Sequence, residues 1–224
     1  MHPFSVKLAD FKQARAVDRA CDAIERCLPP VPAPRGSRMK RTLAPEDVVA
    51  VVDTREQLPL DLSPLQSQSG TLVTGDYSVL GLEQEVAIER KSLSDLLGCI
   101  GKDRERFDKE IKRLIAYPVR ALVVESSWSD IEAGMWALQG RSRILPQTAL
   151  GSLLGWIAYG IPVIMAGSHD QAARYVSRML FIAARRRWHQ LHDLYSAVEA
   201  QRGGTSVRRE KAASGTTGDA AGVS

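Results

Sequence analysis

Cysteine is scarce in this chain. Three residues in 224 (Cys21, Cys27 and Cys99), with no C-x-x-C pair, are too few for a disulfide scaffold. A reducing, cytoplasmic setting is therefore expected. His189-x-x-His192 has helical spacing, but no cysteine or third histidine lies near it, so the usual zinc ligand sets are not met. No G-x-x-x-x-G-K-[ST] loop occurs, which argues against a nucleotide cofactor. The G-x-S-x-G turn of many serine hydrolases is absent as well. Lys7, Asp10 and Lys12 interrupt any apolar run at the N-terminus, so no signal peptide is expected.

Charge is missing from one long stretch. Ile144 to Ser168 holds no Asp, Glu, Lys or Arg, which is long enough to span a bilayer. Pro146, Pro162 and four glycines interrupt it, and Tyr159-Gly160-Ile161-Pro162 would break a helix near its middle. A buried helix over Gln147–Tyr159, a turn and a buried strand over Pro162–Ala166 are expected instead, and no membrane partner.

What is present is ordinary globular composition, 44% hydrophobic and 25% charged, with an uneven charge distribution. Residues 1–46 carry 9 basic and 5 acidic groups, and residues 174–211 carry 9 and 3. The centre, 47–173, reverses this with 12 basic against 17 acidic. Carboxylates concentrated between basic flanks suit a cation site that sits on a polyanion, or are plain surface scatter.

Phe4 to Leu28 reads as an amphipathic helix (segment 1–28). Residues 29–46 read as a Pro- and Arg-rich linker, and Met39, just before the expected domain, suggests that the first 38 residues are peripheral or a misassigned start. A single compact domain over 47–200 follows, then a Gly-, Ser- and Thr-rich tail, 201–224, expected to be disordered. Within the domain, Val48–Asp53 and Arg120–Glu125 read as buried strands, Asp103–Tyr117 as a helix, and Ser168–Gln171 as a capping box opening the final helix. Strands alternating with helices indicate an α/β fold.

Leu72–Leu80 and Glu85–Lys91 read as a hairpin about Gly81-Leu82, with glycine at the first turn position. Parity then assigns the faces, because neighbouring residues of a strand point to opposite sides. Val73, Tyr77 and Val79 share the core face with Val86 and Ile88. Thr74, Asp76 and Ser78 share the other face with Glu85, Glu89 and Lys91. Asp76 and Glu89 offer hard oxygen ligands suited to Mg²⁺ or Mn²⁺. Asp53, ending a neighbouring strand, is a candidate third carboxylate, and Lys91 is placed to orient water or stabilise an oxyanion. By pattern alone, D…E-x-K fits a solvated sheet face equally well.

Longer motifs bear on that choice. Val52-Asp53-Thr54-Arg55-Glu56, then Gly75-Asp76-Tyr77, then Glu89-Arg90-Lys91-Ser92-Leu93-Ser94-Asp95-Leu96 together resemble the XPF-type structure-specific nuclease domain. That family's signature is G-D, a variable gap and E-R-K-x-x-x-D, preceded by a strand ending in D-x-R-E. The likeness continues through Arg106-Phe107, Glu110, Arg113-Leu114, Tyr117, Ala121–Glu125 and Trp156. It implies a restriction-endonuclease-like fold with a mixed central β-sheet flanked by helices. It also implies Mg²⁺-dependent cleavage of branched, flapped or otherwise non-B-form DNA, in repair or recombination. Asp53, Asp76 and Glu89 would surround the metal and Lys91 would support the attacking water, with Arg55, Glu56, Arg90 and Asp95 as supporting members. A homodimer through this domain is common in the family. The tandem helix-hairpin-helix module that members commonly carry is not expected after the final helix.

Parity puts Arg90 opposite Glu89 and Lys91, so it is expected to tie its strand to a helix or a carboxylate. Ser92-x-x-Asp95 has capping-box spacing, which favours a structural Asp95. Glu125 reads as an edge charge. Lys102, Arg106, Lys109 and Arg113 form one stripe opposite Phe107, Ile111, Leu114 and Ile115, either a DNA contact or a solvated face. Arg185–Arg187 with Trp188 suits single-stranded DNA or a docking surface. The rival readings are a nuclease-like subunit that binds without cutting, and a small-molecule phosphohydrolase.

Overall fold

The computed structural model describes residues 42–214, with side chains to 201. The expected helix over 1–28 and most of the 29–46 linker lie outside the described residues. The chain divides between Met39 and Lys40, and the second unit carries the fold described below. After a 3₁₀ turn at Pro45–Asp47 come β1 (Val49–Asp53), β2 (Gln66–Gly70), β3 (Tyr77–Val79) and β4 (Val86–Ser92). Helices α1 (Leu93–Ile100) and α2 (Arg104–Leu114) lead to β5 (Val119–Glu125). Helices α3 (Trp128–Ala133), α4 (Met135–Leu138) and α5 (Pro146–Ala158) lead to β6 (Val163–Met165), and α6 (His169–Ser214) closes the fold.

The six strands form one mixed sheet in the order β2-β1-β3-β4-β5-β6. The β1–β3–β4 centre is antiparallel, whereas β2 joins β1, β5 joins β4 and β6 joins β5 in parallel. Parallel neighbours need long crossovers. Helices α1–α2 and α3–α5 supply two of them, on the face packed by Ala87, Leu122 and Val124 against Leu96, Phe107, Ile111, Leu153 and Trp156. The other face, with Val52, Tyr77, Ile88 and Val123, is covered by α6 through Ala172, Val176, Leu180 and Ala184. Alanines at helical spacing bring the α6 backbone close to the sheet, and each buried Leu or Ile contributes about 1.5–3 kcal/mol.

The charge-free stretch forms a helix, a turn and a strand as expected, the strand being half-buried at the sheet edge, with Gly160 in the left-handed region at φ +96°. Among the described residues, no helix is long and apolar enough to cross a membrane. Three details differ from expectation. The first hairpin strand is only Tyr77–Val79, and Val73 is 71% exposed rather than buried. Gly75, at φ +79°, ends the strand before Val73 can continue it. The turn spans six residues, Leu80–Glu85, rather than two, yet Tyr77 still pairs with Ile88, so the face assignment of β3 against β4 survives. The last helix runs to Ser214, into the segment expected as a disordered tail.

Strand β2 carries no hydrophobic pattern. Gln66-Ser-Gln-Ser is exposed, and pairing with β1 alone holds it at the edge. Between α3 and α4, Gly134 adopts φ +58°, and a Cβ there would stand 2.1 Å from Pro146 Cγ. Gly134→Ala therefore combines backbone strain with a clash at the start of α5. A loss of at least about 1 kcal/mol is expected, read as a lower denaturation midpoint at unchanged slope.

Candidate active site

Three strands deliver the carboxylates. Val52 pairs with Tyr77, so Asp53 comes opposite Asp76, and the Asp53 N–H donates to the Asp76 carbonyl at 2.9 Å. On the other side, the Asp76 N–H donates to the Ile88 carbonyl at 2.8 Å. The Arg90 N–H donates to Asp76 Oδ2, also at 2.8 Å. This tight seating needs Gly75, because a Cβ there would lie 3.0 Å from the Ile88 carbonyl oxygen. The glycine of the G-D pair thus lets Asp76 approach β4.

Glu89, only 4% exposed, accepts a charged hydrogen bond from Lys91 Nζ, two residues along the same face. Burial and the nearby Asp76 charge push the Glu89 carboxyl up to about 7, against the opposing pull of Lys91. Asp76 is also raised. Burial is the main cause, Lys91 and the Arg90 N–H oppose it, and the Glu56 and Glu110 charges add to it. Burial works against the Lys91 charge, but Glu89 and Asp76 outweigh it and raise its pKa. The ammonium also lies 5.6 Å from the centre of the Phe107 ring. One cation thus faces two carboxylates that remain short of positive charge.

Asp53 lies in the same row but in a different electrostatic state. Its two oxygens accept Arg55 Nε at 2.6 Å and Nη2 at 3.1 Å, together with the backbone N–H groups of Arg55 and Leu72. Burial opposes the charge, and these donors outweigh it, holding the carboxyl below its ordinary 3.8. Among the described residues, no group of three His, Cys, Asp or Glu side chains is placed to hold a metal ion. The structure therefore brings Asp76 and Glu89 together with Lys91, and places the Asp53 carboxylate in a clip around Arg55 and Leu72.

A cleft of about 620 Å³ opens over Asp76 and Lys91, with Arg55, Lys102 and Arg106 among its walls. The sequence model of the ERCC4 domain matches residues 52–179. This chain belongs to the ERCC4 domain family. Two solved structures are similar. "XPF from Aeropyrum pernix" has 20% identity and a TM-score of 0.49, covering 61% of this chain and 62% of that one. "XPF from Aeropyrum pernix, complex with DNA" has 19% identity and a TM-score of 0.49, covering 62% and 66%. This chain thus spans less than two thirds of the length of either. No curated protein matches it.

The ERCC4 interval contains every candidate site residue from Asp53 to Arg113. Arg90 points away from Glu89, as parity requires, into a nearly closed pocket of charge. Its guanidinium lies 2.6 Å from Glu125 Oε1 and 3.6 Å from Glu56 Oε1. It also meets His169 Nδ1 at 3.2 Å, and that nitrogen lies 2.7 Å from the same Glu125 oxygen. Arg90 thus ties β4 to the end of β5, the start of α6 and the loop after β1. Glu125 is its main partner rather than an edge charge. His169 had no motif to mark it, and its only sequence signal was its place after Ser168, whose hydroxyl accepts the Gln171 N–H.

Asp95 caps. Its backbone N–H donates to Ser92 Oγ, whose hydroxyl donates back to Asp95 Oδ2 at 2.7 Å, opening α1. Along the ERCC4 domain's basic stripe, Lys102 precedes α2, whereas Arg106, Lys109 and Arg113 lie on it and are exposed. Arg106 is 3.8 Å from Asp103 and Arg113 is 3.3 Å from Glu110, so only part of the stripe's charge is balanced locally. Arg187 pairs with Glu85 at 2.8 Å, which ties α6 to the turn before β4, whereas Arg185 lies over the Phe181 ring of its own helix and Arg186 is exposed. Cys99 is buried, and burial pushes its thiol up to about 11, so it stays protonated.

Proposed function

We propose that this chain is a divalent-metal-dependent DNA endonuclease, hydrolysing phosphodiester bonds where DNA departs from a regular duplex. The observation that carries the reading is half-buried Asp76 beside buried Glu89, whose raised pKa values mark a deficit of positive charge beside Lys91. The donor set fits Mg²⁺ or Mn²⁺, since both ligands are carboxylate oxygens and the cleft leaves room for water and phosphate. Asp76 and Glu89 would hold the ion, which when bound polarises a phosphoryl oxygen and lowers the pKa of its water. Asp53 is then a positioning residue, since its clip on Arg55 and Leu72 fixes the strand end next to Asp76. Lys91 balances the negative charge that grows on the phosphate and holds a water by its ammonium. Arg55, Lys102 and Arg106 line the cleft as phosphate contacts. Lys109 and Arg113 extend that surface along α2.

The test is incubation with flapped, branched and linear DNA in Mg²⁺ or Mn²⁺, with a chelator as control. Cutting that needs the ion supports the enzyme. Tight binding without cutting would favour the reading of a nuclease-like binding subunit. Hydrolysis of small phosphodiesters with indifference to DNA would favour a phosphohydrolase.

A pH prediction follows from Glu89. Its folded pKa of about 7 lies above the ordinary 4.5, so the folded chain holds this proton more tightly than the unfolded chain. Without divalent ions, stability should therefore fall as pH climbs between these two values. A bound ion displaces the proton, so the stabilisation by Mg²⁺ should grow over the same interval. Thermal melts below and above that window, with and without Mg²⁺, check both signs. Equal Mg²⁺ shifts at both ends would contradict the assignment of Glu89 as a ligand.

A further inference from the structure

A second cavity, of about 700 Å³, lies beside the catalytic cleft and shares Ser94, Gly98 and Lys102 with it. The two differ in chemistry. The cleft is walled by charged groups, whereas the neighbouring cavity has an apolar floor of Leu97, Trp136 and Ile144. The Trp136 indole N–H donates to the Ile144 carbonyl at 2.8 Å, which pins the loop before α5 as one wall. Arg141, Arg143 and Lys102 stand at the rim, all exposed. Among the described residues, no acid lines this cavity.

An apolar floor would reject a bare phosphate, and three cations would serve no purpose for an uncharged apolar ligand. Together they suit a planar base flanked by phosphates, the arrangement by which proteins grip single strands. A base inside a duplex must first unstack and unpair to enter such a pocket, whereas an unpaired base does not. We propose that this cavity takes one unpaired nucleotide of the DNA strand held at Asp76. Its base lies on the Leu97–Trp136–Ile144 floor and its phosphates lie against Arg141 and Arg143. This rests on the nuclease reading and deepens it, because selection for strand openings then lies within the domain that cuts.

The test compares two short single strands of equal length, oligothymidylate and the same backbone with every base removed, binding to the full-length protein in chelator. Wild type should hold the base-bearing strand at least about tenfold tighter. Gly98→Leu should abolish that preference by placing a bulky side chain where the cavity meets the cleft. A Cβ at Gly98 meets only Asp103 Oδ2, at 3.7 Å, so a side chain can leave the helix there without a clash at its first atom. Arg141→Ala with Arg143→Ala should weaken both strands alike. Equal wild-type affinities would overturn the proposal whether or not any variant folds, as would a preference surviving in folded Gly98→Leu. If wild type still cuts flapped DNA in Mg²⁺, the nuclease reading stands and only the cavity falls. Absence of binding to either strand, with no cutting, removes both.

Discussion

Asp76→Asn is expected to abolish ion-dependent DNA cutting, by at least about 10²–10³-fold, while making the ion-free protein more stable. The two effects have one cause. Asp76 is half-buried against Glu89, and burial with neighbouring carboxylates raises its pKa, so its charge opposes folding at neutral pH. Asparagine keeps an oxygen for the Arg90 N–H, which now lies 2.8 Å from Asp76 Oδ2, and removes the repulsion. It also removes the negative charge that a divalent ion requires. The measurement is a pair of melting curves beside a cleavage time course. A variant that melts lower than wild type in chelator, or that still cuts, would contradict the assignment. Lys91→Ala should likewise lose cutting, but with lower stability, since Glu89 would keep its burial and lose its closest cation.

The second large effect lies on the opposite face of the sheet. Arg90→Met should destabilise the fold by about 3 kcal/mol, because it leaves half-buried Glu125 with only the His169 ring nitrogen as a partner and removes the cation beside Glu56. Adding Glu125→Gln should recover a large part of that loss, since the uncompensated charge is then gone. A denaturant double-mutant cycle measures this coupling. If the two losses simply add, the Arg90–Glu125 contact is not the element that holds β4, β5 and α6 together. Cutting by the double variant, at reduced rate, is the expected companion result, because the Arg90 N–H that holds Asp76 is kept and neither side chain touches Asp76 or Glu89.

Several of these features were legible in the chain before any coordinates. The alternation Val86-Ala-Ile-Glu-Arg-Lys sends Glu89 and Lys91 one way and Arg90 the other, whatever the rest of the protein does. The shift from a two-residue to a six-residue turn left the face assignment of Asp76 intact, because the register of Tyr77 with Ile88 kept its parity. Capping by Ser92 and the break of the charge-free stretch at Gly160 are equally local events. Strand β2 was not legible, since Gln66-Ser-Gln-Ser has no hydrophobic period and becomes a strand only through the open edge of β1.

Sequence alone settled the quantities that depend on neighbours a few residues apart: side-chain direction, helix starts, turns, and the presence of a carboxylate pair with a lysine. Tertiary structure decided which of those groups remain short of opposite charge. Asp53 matches the motif as well as Asp76 does, yet the Arg55 guanidinium, joined by a Leu72 N–H that folding brings close, satisfies Asp53, whereas burial beside other carboxylates leaves Asp76 raised. Arg90, Glu125 and His169 are far apart along the chain, and only the stacking of β4, β5 and α6 joins them. The same holds for the apolar floor beside the cleft, assembled from α1, α4 and the loop before α5. Electrostatic fate depends on burial and on partners from other elements, and no local pattern encodes either.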